Sequence, residues 1–281
     1  MTMQKRALAI HDISCVGRCS LTVALPVLSA CGIHTSALPT ALLSTHTGEF
    51  TGYTCLDLTE EMRGVIGHFD TLPLHFDGLY TGFLGSFEQI EIVGDVLERY
   101  HADDTLTLVD PVMGDHGRLY ATYTEKMARG MGELCRLADV IVPNMTEACV
   151  LLEREFIADP DEATVTDVTE ALAARYGCGR VVLTGVKRGG QLGAASFDAS
   201  TGRHSYAGGT RLDSIFYGTG DVLASALTGA LLCGKSPEEA TRIAVDFTHE
   251  AMVHTLDNGL PLRYGVAFEQ AIPGLVRALG L

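Results

Sequence analysis

The stretch LTLVDPVMGD, residues 106–115, indicates the class of fold to which this chain belongs. It begins with an apolar run, Leu106–Val109, that predicts a buried strand, and two carboxylates, Asp110 and Asp115, follow the end of that strand. In open parallel sheets, ligands bind beyond the carboxyl ends of the strands. The stretch therefore predicts both a strand of a parallel sheet and an edge at which a ligand binds.

Strands and helices alternate along the rest of the chain, which is typical of βαβ units around a parallel sheet covered by helices on both faces. The predicted strands are Ala7–Ile10, Thr35–Leu38, Gly78–Thr81, Leu106–Val109, Val140–Val142 and Arg180–Thr184. The predicted helices include Ser20–Cys31, Glu88–Tyr100, Ala163–Tyr176 and Asp221–Leu232.

Near the end of the chain, the runs Gly193–Phe197 and Arg203–Tyr206 flank a turn-like segment and predict an antiparallel hairpin at the edge of the sheet. No internal repeat, low-complexity segment or flexible linker divides the sequence. We therefore expect a single three-layer α/β domain over residues 1–281, with a mostly parallel central sheet and an antiparallel edge.

The composition excludes several classes of partner. The 281 residues include 20 Lys and Arg against 35 Asp and Glu, a formal net charge of −15, whereas nucleic acids and anionic membranes require a basic face. The eight cysteines form no C-x-x-C pair, and no apolar stretch is long enough for a membrane span. We expect a cytoplasmic protein with reduced thiols, no nucleic-acid or membrane partner, and a small-molecule ligand that can itself be an anion.

Two familiar patterns predict no site. Residues 229–236, GALLCGKS, match the phosphate-loop pattern, but the residues between the glycines continue an apolar helix. Gly234 is typical of a helix end, and Ser236 begins a capping box, so we expect a junction between two helices there. The ten histidines form neither H-E-x-x-H nor a close His/Cys pair, and we interpret most of them as surface or satisfied core residues.

The segment YGTGD, residues 217–221, is a stronger candidate. Its glycines permit a tight turn into a predicted helix, whose first amides have no partner within the helix. Those amides and the helix dipole form a site for a phosphoryl group, at which Asp221 can direct a carboxylate toward an attacking hydroxyl. Aspartate is also a favoured helix cap, so this segment alone leaves both interpretations open.

A third polar cluster follows the predicted strand Val140–Val142. Asn144 and Glu147 are three residues apart and share one face of the first helical turn. Oxygen ligands of this kind suit Mg²⁺, held directly or through water, although each residue could instead be a helix cap. Because three such clusters follow strands or open a helix, we favour a ligand site over capping alone.

In their order along the chain, these motifs resemble the ribokinase-like superfamily. They are an N-terminal strand with Gly17, the segment Thr45-His46-Thr47, D-P-V-M-G-D, N-x-x-E and G-T-G-D. Within the superfamily the chain is similar to the pyridoxal/pyridoxamine kinases over residues 5–255. The resemblance implies a single α/β domain, usually a homodimer, that transfers the γ-phosphoryl group of ATP to the 5′-hydroxymethyl group of B6 vitamers with Mg²⁺.

The resemblance also implies roles for individual residues. The catalytic group would consist of a base, Asp221, and an anion hole formed by Gly218, Thr219 and Gly220. The residues around Mg²⁺ and the phosphates would be Asp110, Asn144 and Glu147, of which Asp110 and Glu147 would bind the metal. Asp115 and Thr184, the latter at the end of its strand, would face the nucleotide, and the segment Tyr206–Tyr217 would lie over it.

On the substrate side, Thr47 would bind the polar edge of the pyridine ring and Phe83 would stack on or line the ring. Phe83 stands where the family often has Tyr, and Asp12 stands where many members have Ser. An acid beside the vitamer could pair with a protonated pyridine nitrogen or with the ammonium group of pyridoxamine. We therefore hypothesise a preference for pyridoxamine; the alternative is that Asp12 only accepts backbone hydrogen bonds within its loop.

Other functions fit the residues less well. Hydroxymethylpyrimidine kinases commonly carry Cys where Asp221 stands, although their substrates overlap with the B6 vitamers. Sugar and nucleoside kinases need several polar residues around the sugar, whereas the pocket offers Thr47, Phe83 and Val16. A non-catalytic B6 carrier would not require Asp221 or the carboxylates, and a dinucleotide-dependent oxidoreductase would require G-x-G-x-x-G after a strand.

Overall fold

The apolar runs of the sequence form the strands of a central sheet in a computed structural model, which describes residues 4–281. The strands are β1 (Arg6–Ser14), β2 (His34–Leu43), β3 (Cys55–Asp57), β4 (Gly78–Thr81), β5 (Leu106–Val109), β6 (Gly114–Asp115), β7 (Arg118–Leu119), β8 (Val140–Ile141), β9 (Arg180–Arg188), β10 (Gln191–Asp198) and β11 (Arg203–Thr210). The helices are α1 (Leu21–Ala30), α2 (Thr59–Phe69), α3 (Phe87–Tyr100), α4 (Glu125–Arg136), α5 (Met145–Leu151), α6 (Glu162–Tyr176), α7 (Thr219–Leu232), α8 (Pro237–Asp257) and α9 (Phe268–Leu279). A short 3₁₀ helix, Leu262–Tyr264, connects α8 to α9.

Nine of these strands form the central sheet in the order β11-β10-β9-β8-β5-β4-β1-β2-β3, and β6 and β7 pair separately in a short hairpin. The six strands from β9 to β2 are parallel to one another. The hairpin of β10 and β11 is antiparallel at one edge, as the sequence predicts, and β3 adds an unpredicted antiparallel strand at the other edge. The parallel strands therefore bring their carboxyl ends, and the segments that follow them, to the same side of the sheet.

Helices cover both faces of the sheet because side chains along each strand alternate between the faces. Leu8 and Ile10 of β1 pack into a core with residues of α2, α3, α4 and α6, whereas Ala7 and Ala9 face α1, α7, α8 and α9. This arrangement confirms the predicted three-layer α/β class. Within residues 4–281, no helix combines the length and the apolar character that crossing a bilayer requires.

The phosphate-loop match at residues 229–236 lies between two helices, as predicted. Helix α7 ends at Leu232, and Gly234 follows in the left-handed conformation with φ 81°. Ser236 then caps α8 and forms a capping box with Glu239, with Pro237 at the start of the helix. Because no strand precedes the segment, its amides serve helix ends and not a phosphate.

The main differences from the sequence prediction have local causes. Strand β9 continues beyond Thr184 to Arg188, passing through Gly185 with φ 72°, so Thr184 lies inside the strand and not at its end. Helix α4 was not predicted, since Gly130 and Gly132 lower its intrinsic helix propensity. Both glycines allow close packing, Gly130 against Phe87 and Ile90 and Gly132 against Tyr176, which a propensity argument does not include.

Candidate active site at the carboxyl edge of the sheet

The turn before α7 has a backbone that requires one glycine and leaves space at another. Gly218 has φ 73°, and a β-carbon at this position would lie 2.0 Å from the carbonyl oxygen of Arg18. Gly220 is exposed, and a β-carbon there would meet no atom within 4 Å. Packing therefore explains Gly218 alone, whereas Gly220 leaves the side of the turn that faces solvent open to a ligand.

The amides of this turn are free to bind an anion. The first hydrogen bond within α7 runs from the amide of Val222 to the carbonyl oxygen of Gly218, at 3.1 Å. The preceding amides, those of Thr219, Gly220 and Asp221, therefore have no acceptor inside the helix. With the positive end of the helix dipole, they form the type of site that binds phosphate.

Asp221 lies at this helix terminus among groups that oppose its ionisation. Burial, and secondarily the negative charge of Asp12, raise the pKa of Asp221 to about 7, although the backbone amide of Ser20 donates to the carboxylate and acts in the opposite direction. A carboxylate with a pKa near neutrality is suited to accept a proton at physiological pH. The geometry thus makes Asp221 a candidate general base.

Asp12 is held by hydroxyl groups of its own loop. It lies at a β-bulge in β1, it is 5% exposed, and burial raises its pKa. Its Oδ1 accepts a hydrogen bond from the hydroxyl of Ser20 at 2.5 Å, and its Oδ2 accepts one from Ser14 at 3.3 Å. Both carboxylate oxygens therefore accept hydrogen bonds from side-chain hydroxyls, whereas the alternative drawn from the sequence considered only backbone donors.

Asp110 and Glu147 form a second pair of buried carboxyl groups. They are 6% and 3% exposed, respectively. Burial raises the pKa of Glu147 to about 8, and burial together with the charges of Glu147 and Asp221 raises that of Asp110. Like charges in a poorly solvated region repel strongly, so the two groups do not both ionise readily unless a cation joins them.

The two motifs that carry these acids are bonded to each other. The carboxylate of Glu147 accepts hydrogen bonds from the amide of Met113 at 3.1 Å and from the amide of Asn144 at 2.8 Å. The side chain of Asn144 caps α5 by accepting from the amide of Glu147, and it donates to the carbonyl oxygen of Gly114 at 2.9 Å. The capping alternative is therefore confirmed, and the same bonds hold the loop that follows β5 in place.

The donor set at this position fits a divalent cation such as Mg²⁺. Carboxylate oxygens are the ligands that Mg²⁺ prefers, and two buried carboxyl groups without a balancing cation are costly. Within residues 4–281, no third acid, histidine or cysteine joins Asp110 and Glu147 in a group whose ligand atoms all lie within 4.8 Å of one another. Because both oxygens of Glu147 already accept amides, contact from this residue is most readily made through water.

The residues predicted to face the nucleotide lie around the same edge. Thr184 is half-buried beside Asn144, and its amide donates to the carbonyl oxygen of Pro143 at 2.9 Å. Asp115 lies in the β6–β7 hairpin, where its exposed carboxylate accepts a hydrogen bond from the amide of His116 at 2.7 Å. Their contact with a nucleotide remains a prediction.

The predicted substrate residues lie on two other segments. Thr47 is exposed in the loop after β2, and Phe83 is half-buried after β4, with its ring centroid 6.4 Å from that of Tyr123. Sequence reasoning missed the contributions of Arg18, Ser20 and His46 to the site. Arg18 acts through its backbone, and Ser20 acts through its amide toward Asp221 and its hydroxyl toward Asp12, contacts that no motif indicates. The position of His46 next to Thr47 was a signal.

The sequence and the fold of the chain both match those of known kinases. The sequence profile of the phosphomethylpyrimidine kinase family matches residues 25–263. A pyridoxine/pyridoxal/pyridoxamine kinase from Bordetella avium is 32% identical, covering 85% of this chain and 81% of its own. Pyridoxal kinase from Lactobacillus plantarum superposes with a TM-score of 0.90 at 34% identity, covering 97% of each chain.

A phosphomethylpyrimidine kinase homologue from Bacteroides thetaiotaomicron, crystallised with pyridoxal, superposes with a TM-score of 0.92. It is 35% identical and the match covers 97% of this chain and 96% of the other. Both the sequence and the fold are therefore shared along nearly the whole length. The chain belongs to the phosphomethylpyrimidine kinase family and is a ribokinase-like kinase of the pyridoxal kinase type.

Proposed function

We propose that the protein phosphorylates the 5′-hydroxymethyl group of B6 vitamers with ATP, in pyridoxal phosphate salvage. The observation that carries this proposal is the turn at Gly218–Asp221, where free helix amides stand beside a carboxylate with a pKa near 7. B6 vitamers as the class of substrate are supported by the pyridoxal kinases to which the chain is similar and by the homologue crystallised with pyridoxal. The cytoplasmic location and the homodimer implied by the resemblance remain predictions.

The chain's own residues suffice for the positioning and the proton transfer. Asp221 accepts the proton of the attacking hydroxyl at its carboxylate, and the amides of residues 219–221 stabilise charge on the transferred phosphoryl group. Asp110 and Glu147 would hold Mg²⁺, which when bound would supply charge neutralisation of the ATP phosphates. Thr47 and Phe83 orient the vitamer, and Thr184 and Asp115 line the nucleotide side.

A second candidate substrate is hydroxymethylpyrimidine, since the matching family profile is that of the phosphomethylpyrimidine kinases. Both substrates present a hydroxymethyl group on a flat nitrogen heterocycle, so a pocket for one has a similar shape for the other. The aspartate at position 221, where hydroxymethylpyrimidine kinases commonly carry Cys, favours the B6 vitamers.

The first prediction concerns substrate choice. We expect vitamer-dependent ATP consumption with pyridoxal, pyridoxamine and pyridoxine, at a kcat/KM above that with hydroxymethylpyrimidine. A coupled assay of ADP release over this panel measures it. A clear preference for hydroxymethylpyrimidine would assign the alternative function, and ADP release that no compound stimulates would contradict both.

The second prediction concerns the base. Asp221→Asn should lower kcat by about 10²–10⁴-fold, because the amide group cannot accept the proton, while binding of a non-hydrolysable ATP analogue stays close to wild type. Steady-state kinetics and calorimetry measure the two effects. Asp257→Asn, which changes an exposed aspartate at the end of α8, is the matched control. Near-normal turnover by Asp221→Asn would refute the assignment.

The third prediction concerns pH. Only ionised Asp221 can act as a base, so kcat/KM should fall as the pH decreases through about 7, the pKa of this carboxyl. Asp12→Asn removes a nearby negative charge that raises this pKa, so the acidic limb should move to lower pH. A pH profile of both proteins tests the shift, and an unmoved acidic limb would exclude Asp12 as a group that changes the pKa of Asp221.

The same variant, assayed with each vitamer, tests the preference for pyridoxamine.

The fourth prediction concerns the cation. Turnover should depend strictly on a divalent cation, because the amides alone leave the Asp110–Glu147 pair and the phosphates without neutralising charge. Activity should disappear in excess EDTA and return with Mg²⁺. Asp110→Asn should raise the Mg²⁺ concentration needed for half-maximal rate, whereas Asp103→Asn, at an exposed position, should not. Full turnover in excess chelator would contradict this prediction.

A further inference from the structure

Four segments that are distant in sequence close a ring of contacts around the glycine turn. The backbone of Arg18 packs against Gly218, and its amide donates to the carbonyl oxygen of Tyr264 at 2.9 Å. The preceding carbonyl, that of Arg263, accepts a hydrogen bond from His46. His46 in turn packs against Tyr217, the residue before Gly218. We call this set the contact ring: Arg18, His46, Tyr217, Gly218, Arg263 and Tyr264.

His46 is the member of the contact ring that joins the substrate side to the phosphoryl side. It is 7% exposed and lies one residue before Thr47, the predicted vitamer contact. Its ring centroid is 5.5 Å from that of Tyr217 and 4.9 Å from that of Phe50. The ring of Tyr217 also covers Gly48, where a β-carbon would lie 2.6 Å from it. The loop after β2 therefore rests directly on the residue that leads into the turn.

Both nitrogens of His46 are used within the protein. Nδ1 accepts a hydrogen bond from the amide of Gly48 at 3.1 Å, and Nε2 lies 2.5 Å from the carbonyl oxygen of Arg263. Because a carbonyl oxygen can only accept, Nε2 carries the proton and the ring is the neutral Nε2–H tautomer. With both nitrogens engaged and the ring buried, His46 has no polar atom free for a substrate.

We propose that His46 is a positioning residue for phosphoryl transfer, which holds the loop of residues 45–50 against Tyr217 and so holds the turn at Gly218–Asp221 in its catalytic position. The inference rests on the proposed kinase function but not on the identity of the acceptor. A turn braced in this way keeps its amides and Asp221 aligned, and a displacement of about 1 Å in such a group can cost about 10²-fold in rate.

The experiment compares variants of His46 that retain different parts of its contacts. His46→Gln keeps a donor for the Arg263 carbonyl, His46→Asn keeps an acceptor for the Gly48 amide, and His46→Phe keeps only the ring packing. His46→Ala removes all three contacts. The matched control is His204→Ala, which removes a histidine that stacks on Phe197 and bonds Glu170 at the far edge of the sheet.

Three quantities are measured for each variant: kcat and KM with whichever acceptor the wild-type enzyme uses best, including hydroxymethylpyrimidine; acceptor-independent ATP hydrolysis; and amide hydrogen exchange of a peptide containing residues 222–226, the first of which donates its amide to the carbonyl oxygen of Gly218. The rate is measured with the best acceptor, or as ATP hydrolysis where no acceptor works. A failure of the proposed substrate can then be distinguished from a failure of this inference. Thermal unfolding of each variant reports whether it folds.

We expect His46→Ala to lower kcat, or the hydrolysis rate, by about 10–100-fold with little change in KM, and to accelerate exchange at residues 222–226, whose first amide bonds to the turn. His46→Gln should recover most of the rate, and His204→Ala should behave as wild type. If His46→Ala does not fold, His46→Phe and His46→Gln make the same comparison. An unchanged rate, a rise in KM at constant kcat, or a rate loss without faster exchange at residues 222–226 would overturn the proposal.

Discussion

The accumulation of negative charge at the carboxyl edge of the sheet is the constraint on which the site depends. Asp12, Asp110, Glu147 and Asp221 meet there, and burial raises the pKa of each. The groups that favour their ionised forms are mainly hydroxyls and backbone amides, such as those of Ser20 and Met113. In the proposed function, such a site would bind phosphates through oriented amides and a divalent cation, and a net charge of −15 would then not prevent nucleotide binding.

Oriented amides require a backbone that does not move, and close contacts supply this rigidity. Gly218 has a left-handed conformation that favours glycine, and its missing side chain lets the turn touch the carbonyl of Arg18. Gly265, with φ 84°, approaches Arg18 in the same manner from the segment before α9. The loop between β1 and α1 is thus the support for the turn, and the contact ring extends that support to the substrate side.

Much of the fold could be predicted because apolar periodicity reflects burial directly. Strands β4 and β5 have the predicted bounds, and the junction at Gly234 and Ser236 forms as local capping chemistry indicates. Helix α4 was not predicted, because its two glycines lower its helix propensity, a cost that packing against α3 and α6 helps to offset. For Asn144 the sequence left capping and ligand binding open, and the structure shows the cap while bonding the residue to Glu147 and to the carbonyl oxygen of Gly114.

The sequence by itself determined the class of fold, the three segments that build the site, and the family, because strand periodicity, helix caps and glycine turns are local properties. Only the tertiary structure decided which atoms those segments leave free. Both carboxylate oxygens of Glu147 accept hydrogen bonds from amides, and both of Asp12 accept them from hydroxyls. Both ring nitrogens of His46 form hydrogen bonds with backbone groups. Such partners come from residues distant in sequence, and their geometry depends on how helices and loops pack around the sheet.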